Sequence, residues 1–395
     1  MIAYSEAFRQ CYDDSGMTES HRQSSTEDVP QGSAGEGGNG GFGGVDVPGE
    51  GVKGGCAYSD DGREGGAGDS DGFVGGEIRA IRRVEASEIE EAFQYLWVEN
   101  GKSNAELGRR FIRFAQESGL ALDQCWACER RDGRLFPVCL AVPNAGRSAM
   151  LFVSHLTDRR REDELAHLLS YAGQRLDSSR VRIAQALLNR LERRSRKAFE
   201  RAGFFHLADL SYLERKISIS KNTGRGGDVG MTGEWPRDTS VEAYCETVED
   251  DFKKAIAASY EDTLDCPRLC GLRSLDDVLK GHKSTGEFDP KMWTLVRVRG
   301  EPAAVLLLSH FADQDVVELT YLGVGVPFRG MGLGRLLVER AIEMAGKARS
   351  SRITLAVDDQ NGPAMQLYRR TGFRRIDRRV AMILAVAEEE ERGIR

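Results

Sequence analysis

The chain has 395 residues, 30% of them charged and 40% apolar, with a formal net charge of −7. That balance fills two ordinary globular cores, and the absence of any run near 18 consecutive apolar residues argues against a transmembrane helix. The first 30 residues have no apolar stretch to serve as a secretory leader, and eight scattered cysteines suit free thiols in a reducing cytoplasm better than a disulfide framework.

Residues 1–76 hold 4 Lys/Arg against 14 Asp/Glu, and 19 of the 45 positions in 32–76 are glycine. Such a segment buries nothing, so it is expected to be a disordered acidic tail, with Met17 as an alternative start. From residue 77 the pattern becomes regular. "EIRAIRRV" alternates like a strand, and "SEIEEAFQYLWVEN" has helical periodicity with Ser87 as its N-cap. A second helix, "NAELGRRFIRFAQESG", stops at Gly119. Strands "QCWACER", "LFPVCLAV" and "AMLFVSHL", a charged helix, strand "VRIAQALL", helix "RRSRKAFERAG" and strand "FFHLADLSYLERKI" follow. Residues 218–237 read as a linker. The same order then recurs from "VEDDFKKAIAASY" to "FRRIDRRVAMILAV", and "AFERAGF" (Ala198–Phe204) aligns with "LYRRTGF" (Leu367–Phe373) 169 positions later. Two α/β units with mixed sheets are expected, over 77–217 and 238–395.

The most informative stretch is "VPFRGMGLGRLLVERAIEMA", which places Arg329, Gly330, Met331, Gly332, Leu333, Gly334 and Arg335 between a strand and a helix. Backbone N–H groups at such a helix start have no intrahelical partner, and the helix dipole adds positive charge, so a phosphate is the natural occupant. The turn lacks the Lys-Ser/Thr of a Walker loop and has the wrong last interval for a dinucleotide fingerprint, although Asp358 could stand in for a ribose-binding acid.

Arg329-x-x-Gly332-x-Gly334 resembles the R/Q-x-x-G-x-G/A signature of the GNAT N-acetyltransferases. "DDQNGPAMQLYRRTGF" is similar to the family's second signature through Asn361, Ala364, Leu367, Tyr368, Gly372 and Phe373. The resemblance covers about residues 237–387 and implies a fold in which two strands part around the arm of acetyl-CoA. It implies transfer of the acetyl group to an amine by direct attack in a ternary complex. The backbone of Leu322, Gly323 and Val324 would pair with the pantetheine amides, the 329–335 turn would hold the pyrophosphate, and Asn361 and Ala364 would contact the arm. Tyr368 matches a tyrosine that lies near the thioester sulfur; a phenol of pKa about 10 can protonate a departing thiolate whose conjugate acid has a pKa of about 8.5. Glu318 matches a glutamate used as base, and counting six residues to Val324 places both on one face. His310 is the other candidate base. The acceptor amine is not readable, no membrane partner is expected, and a CoA-binding regulator without catalysis stays open.

At the 169 offset, Gly332 and Gly334 fall on Asp163 and Leu165, and Tyr368 falls on Phe199. The first unit therefore looks like a degenerate GNAT-like fold, and the tandem of one intact and one decayed half resembles the mycothiol synthases. Its basic run, Arg190 to Lys197, leaves a nucleic-acid-binding alternative open. "CWAC" (Cys125, Cys128) resembles a metal pair, but positions three apart on a strand face opposite sides. Cys266, Cys270 and His282 lack a fourth ligand.

Overall fold

The computed structural model describes residues 78–99, 102–156, 160–217 and 233–387. The acidic tail and most of the expected 218–237 linker lie outside the described residues. The first repeat contains β1 (Ile78–Arg83), α1 (Ile89–Phe93), the short pair β2 (Val98–Glu99) and β3 (Lys102–Ser103), α2 (Ala105–Glu117), β4 (Cys125–Arg130), β5 (Leu135–Asn144), β6 (Ser148–Val153), α3 (Arg160–Arg175), β7 (Ile183–Asn189), α4 (Arg193–Arg201) and β8 (Phe205–Lys216). The second contains β9 (Thr239–Ala243), α5 (Glu249–Tyr260), α6 (Leu275–Lys283), β10 (Trp293–Val298), β11 (Glu301–Phe311), β12 (Val316–Val324), α7 (Leu333–Lys347), β13 (Arg352–Asp358), α8 (Gly362–Arg370) and β14 (Arg374–Ala385).

Local chemistry explains most boundaries. The Asn104 side chain accepts from Leu107 N at 3.1 Å and opens α2, and Gly119 at φ +65° follows its last turn. Ser87 is not the cap expected of it. It lies inside a 3-10 turn (Ala86–Glu88) opened by Glu85, whose N–H donates to Glu88 Oε2 at 3.0 Å in a capping box. The α-helix that follows ends at Phe93, and Leu96 and Trp97 are buried beyond it.

All strands except β2 and β3 form one 12-stranded sheet in the order β1-β4-β5-β6-β7-β14-β8-β13-β12-β11-β10-β9. The two repeats exchange strands at its centre: β14 lies between β7 and β8, and β8 lies between β14 and β13. The exchange is symmetric, since Leu210 pairs with Arg379, its own counterpart 169 residues later. Cys125 and Ala127 join a core on one face of the first repeat's sheet, and Trp126 and Cys128 a core on the other, as alternation requires. A third core fills the second repeat around Trp293, Phe252 and Leu337. Each fully buried side chain of that size contributes about 1.5–3 kcal/mol relative to exposure.

Candidate active site

The site begins where two parallel strands separate. β12 and β13 pair only from Val316↔Arg352 to Leu319↔Leu355, although β12 continues to Val324 and β13 to Asp358. On its other side β12 stays paired with β11 through Val324, so the edge of Leu322, Gly323 and Val324 toward β13 has no strand on it. A bulge sets the phase here: Leu308 pairs with Leu319 but Leu307 with Tyr321, leaving Thr320 as the extra residue. This overturns the alternation count. Glu318 is opposite Ser309 and Val324 opposite Ala304, an odd spacing on β11, so the two fall on opposite faces. Glu318 instead shares its face with Tyr321 and Gly323.

The glycine turn follows. Gly330 and Gly332 have φ of +80° and +83°, which L side chains rarely adopt, and a Cβ on either would meet nothing within 4 Å. Gly332 is the N-cap of α7 and supplies no side chain, and no acid lies in the first turn. The N–H groups of Leu333 and Gly334 therefore open outward without an intrahelical partner, a cradle with room for an anion. Leu333 is buried and Met331 is 40% exposed. Two arginines expected at this turn are otherwise engaged. Arg335 Nε donates to Glu339 Oε1 at 2.8 Å. Arg329 turns away from the cradle and donates to the carbonyls of Val324, Ser259, Glu261 and Asp262, tying the end of α5 to the end of β12.

The gap between the strands widens into a cavity of about 340 Å³. Its walls include Leu322, Gly323, Val324, Arg329, Gly334, Asn361, Ala364 and Tyr368; Glu318 and His310 are not among them. Tyr368, on α8, is 4% exposed, with its ring 5.6 Å from that of Phe373. Burial, and then the charge of Asp265, raises its phenol above the ordinary range, so it keeps its proton throughout neutral pH. Asn361 caps α8, its Oδ1 accepting from Ala364 N at 3.2 Å, and lines the cavity. Glu318 is 7% exposed between Ser309 and Thr354, in the paired part of the strands. His310 Nδ1 lies 4.0 Å from Glu287. Asp358 accepts from Cys266 N and Gln360 N and is buried under the loop after α5, so this carboxylate does not stand open to a ribose.

Several cavity residues were not anticipated. Tyr321 donates to Ser259 Oγ at 2.6 Å, and Ser259 donates onward to Ile256 O at 2.7 Å. A Cβ on Gly323 would lie 2.4 Å from Ser259 Oγ, so glycine is needed there for α5 to approach β12. Burial pushes Tyr260 up to about 12. His282 is buried with its ring 5.7 Å from that of Tyr321, and burial holds it well below the ordinary histidine range, so it is neutral. The loop after α5 also packs on the first repeat: Cys266 joins that repeat's core, Arg268 donates to His206 O, and Arg273 donates to Gly146 O. Its irregular sequence shows none of this, because the partners are distant in the chain.

In the first repeat the equivalent face is packed by Phe93, Trp97, Phe111 and Phe152, with neighbouring ring centroids 4.8–6.3 Å apart. Phe199 stands on α4 where α8 has Tyr368, fully buried. Asp163 and Leu165 do not replace the glycines, however. Both lie within α3, whose buried row Leu165, Leu168, Leu169 and Ala172 corresponds to Val338, Ala341, Ile342 and Ala345 of α7. The fixed offset fails because the strand-to-helix connections differ in length. Within the basic run Arg196 pairs with Glu200, and farther along α4 Arg201 pairs with Glu162 and Asp163.

Residues 256–373 match the family described as "Acetyltransferase (GNAT) family". The mycothiol acetyltransferase of Beutenbergia cavernae is 34% identical over 106 residues, 26% of this chain and 35% of that protein. The peptidyl-lysine N-acetyltransferase YjaB of Escherichia coli is 34% identical over 89 residues, 21% of this chain and 49% of that protein. The matched region thus spans between a third and a half of these curated relatives. A GCN5-related N-acetyltransferase structure from Sphaerobacter thermophilus shares the fold across 78% of this chain and 96% of its own, with a TM-score of 0.50 and 16% identity. The family match, with the glycine turn and the parted strands, places residues 256–373 of the second repeat in the acetyltransferase (GNAT) family.

Proposed function

We propose that the second repeat transfers an acetyl group from acetyl-CoA to an amine by direct attack in a ternary complex. One observation carries this reading: a helix start at which the N–H groups of Leu333 and Gly334 have no intrahelical partner opens directly onto a cavity between parted strands, and a buried, protonated tyrosine lines it. The cradle suits the pyrophosphate. The unpaired edge of Leu322, Gly323 and Val324 suits the amides of the arm, and holding the two reactants together supplies much of the rate. A backbone N–H at Val324 or beside it stabilises the developing oxyanion. Tyr368 gives its proton to the departing sulfur. Glu318, on the face of Tyr321 but outside the cavity wall, takes the amine proton through an intervening water. Asn361 and Ala364 bound the arm on the far side.

The first repeat supports the loop that forms one wall, because its β5–β6 turn receives Arg273 at Gly146 and the loop after α5 rests on its core. The test is calorimetric binding of acetyl-CoA to the wild type and to Gly332→Asp, followed by thiol release with an amine panel. One site per chain, lost in the variant, supports the reading. Two sites would mean that the first repeat also binds, and no binding would end the acetyltransferase reading. Binding without turnover on any amine would leave a CoA-responsive regulator.

A further inference from the structure

Four charged side chains line the cavity: Arg273, Arg329, Asp262 and Asp265. Both arginines face backbone carbonyls. Arg273 Nη1 donates to Gly146 O at 3.0 Å, and Arg329 donates to four carbonyls around the end of α5. Among the described residues neither forms an ion pair with a carboxylate, so the negative charge of the two aspartates is not cancelled at contact distance. Asp265 is the better fixed of the pair. Its N–H donates to Thr263 Oγ1 at 3.1 Å, and its Oδ1 accepts from Asp358 N at 3.0 Å. It is half-buried where Asp262 is exposed. The rings of Tyr260, Tyr321 and Tyr368 line the same cavity, and two of these phenols feel the Asp265 charge.

A carboxylate held at the wall of an aromatic-lined cavity is the arrangement that receives an organic cation. The charge attracts the ammonium, the ring faces contribute cation–π attraction, and the apolar walls take the alkyl chain. An acceptor with its own carboxylate would be repelled by Asp265 and find no free arginine. We propose, on the basis of the acetyl-transfer reading above, that the acceptor is a small aliphatic amine that enters as its cation and docks its ammonium on Asp265. Cavity size supports a small acceptor, because about 340 Å³ must also hold the end of the pantetheine arm.

The experiment is calorimetric titration of n-butylamine, 1,4-diaminobutane and 4-aminobutyrate into the full-length protein and Asp265→Asn. Asparagine keeps an oxygen for the Asp358 N–H and removes only the charge. The expected result is binding of both cationic probes to the wild type, at least tenfold weaker binding of 4-aminobutyrate, and at least a tenfold loss for the cations in Asp265→Asn. Acetyl-CoA affinity should not change. Equal binding by wild type and variant, no preference against 4-aminobutyrate, or no amine binding overturns the proposal. If Asp265→Asn fails to fold, Asp265→Glu retains the charge and must retain cation binding and the preference against 4-aminobutyrate. Acetyl-CoA binding in the same samples separates the two claims. Its absence refutes acetyl transfer, whereas its presence with amines indifferent to Asp265 refutes only the docking site.

Discussion

The glycines of the 330–334 turn are there for two physical reasons, positive φ at Gly330 and Gly332 and close approach at Gly334, and alanine substitution separates those reasons. Gly332 has φ +83° and open space around its missing Cβ, so Gly332→Ala meets no clash and suffers only backbone strain. That strain costs about 1–2 kcal/mol. In a unit of this size such a loss lowers the melting temperature by about 2–4 °C per kcal/mol. Gly334 is helical, and an added Cβ would make ordinary contact with Leu367 Cδ2 at 3.6 Å, so Gly334→Ala should leave stability unchanged or raise it by up to about 1 kcal/mol. Yet Gly334 lines the cavity beside the outward N–H groups, where a methyl group would hold the pyrophosphate off. Gly334→Ala should therefore bind acetyl-CoA at least tenfold more weakly, a loss of about 1.4 kcal/mol, while melting no lower than the wild type. Calorimetry and thermal unfolding on the same preparations test both signs. Wild-type affinity in Gly334→Ala would refute close backbone approach to a phosphate.

Three further outcomes follow from other contacts. Tyr368→Phe should lower kcat roughly a hundredfold with acetyl-CoA affinity unchanged, and because burial raises the phenol, wild-type activity should not decline through the ordinary phenol pKa of about 10; a kcat within twofold of wild type would remove the acid role. Arg329→Ala releases the carbonyls at the end of α5 and should cost about 1–2 kcal/mol in urea unfolding, after discounting for the exposed guanidinium; an unchanged midpoint would show that those bonds are replaced by water. Glu249, bonded to Lys283 and Tyr244, has its carboxyl lowered from 4.5 to about 2. Its stabilisation is present above pH 4.5 and lost as pH falls toward 2, so Glu249→Gln should be about 1 kcal/mol less stable than wild type at pH 7 and nearly equal to it by pH 2. A gap that does not change with pH would refute this.

Features governed by local chemistry were legible in the sequence. The glycine turn, the helix start at Asn361 and the position of Tyr368 depend on residues within a few positions of one another, and the structure brings Gly334, Asn361 and Tyr368 to one cavity. What depended on counting across an irregularity was not legible. The bulge at Thr320 reverses the face of Glu318, and a changed connection length defeats the fixed offset at α3. Ser87 was a plausible cap until Glu85 and Glu88 formed a closed box around it. Contacts between distant segments left no trace in either segment alone. Neither the Asp265 carboxylate nor the Arg329 guanidinium carries a mark of its partners, because those partners are main-chain groups whose positions the fold determines.

The exchanged central strands have a consequence for the order in which this protein matures. When the first repeat has left the ribosome, β7 and β8 still flank the place of a strand that has not been made. β13 reaches the far edge of β8 first, and β14, the last described strand, then fills the place between β7 and β8. Folding from the amino end, the usual course for consecutive domains, is thus unavailable here. The early half must wait with three unsatisfied strand edges, one on β7 and both on β8, exposed to pairing with other nascent chains, until nearly all of the described chain is present. Each half therefore depends on the other for its sheet, since β14 of the second repeat completes β7 and β8, and β8 of the first repeat covers the far edge of β13.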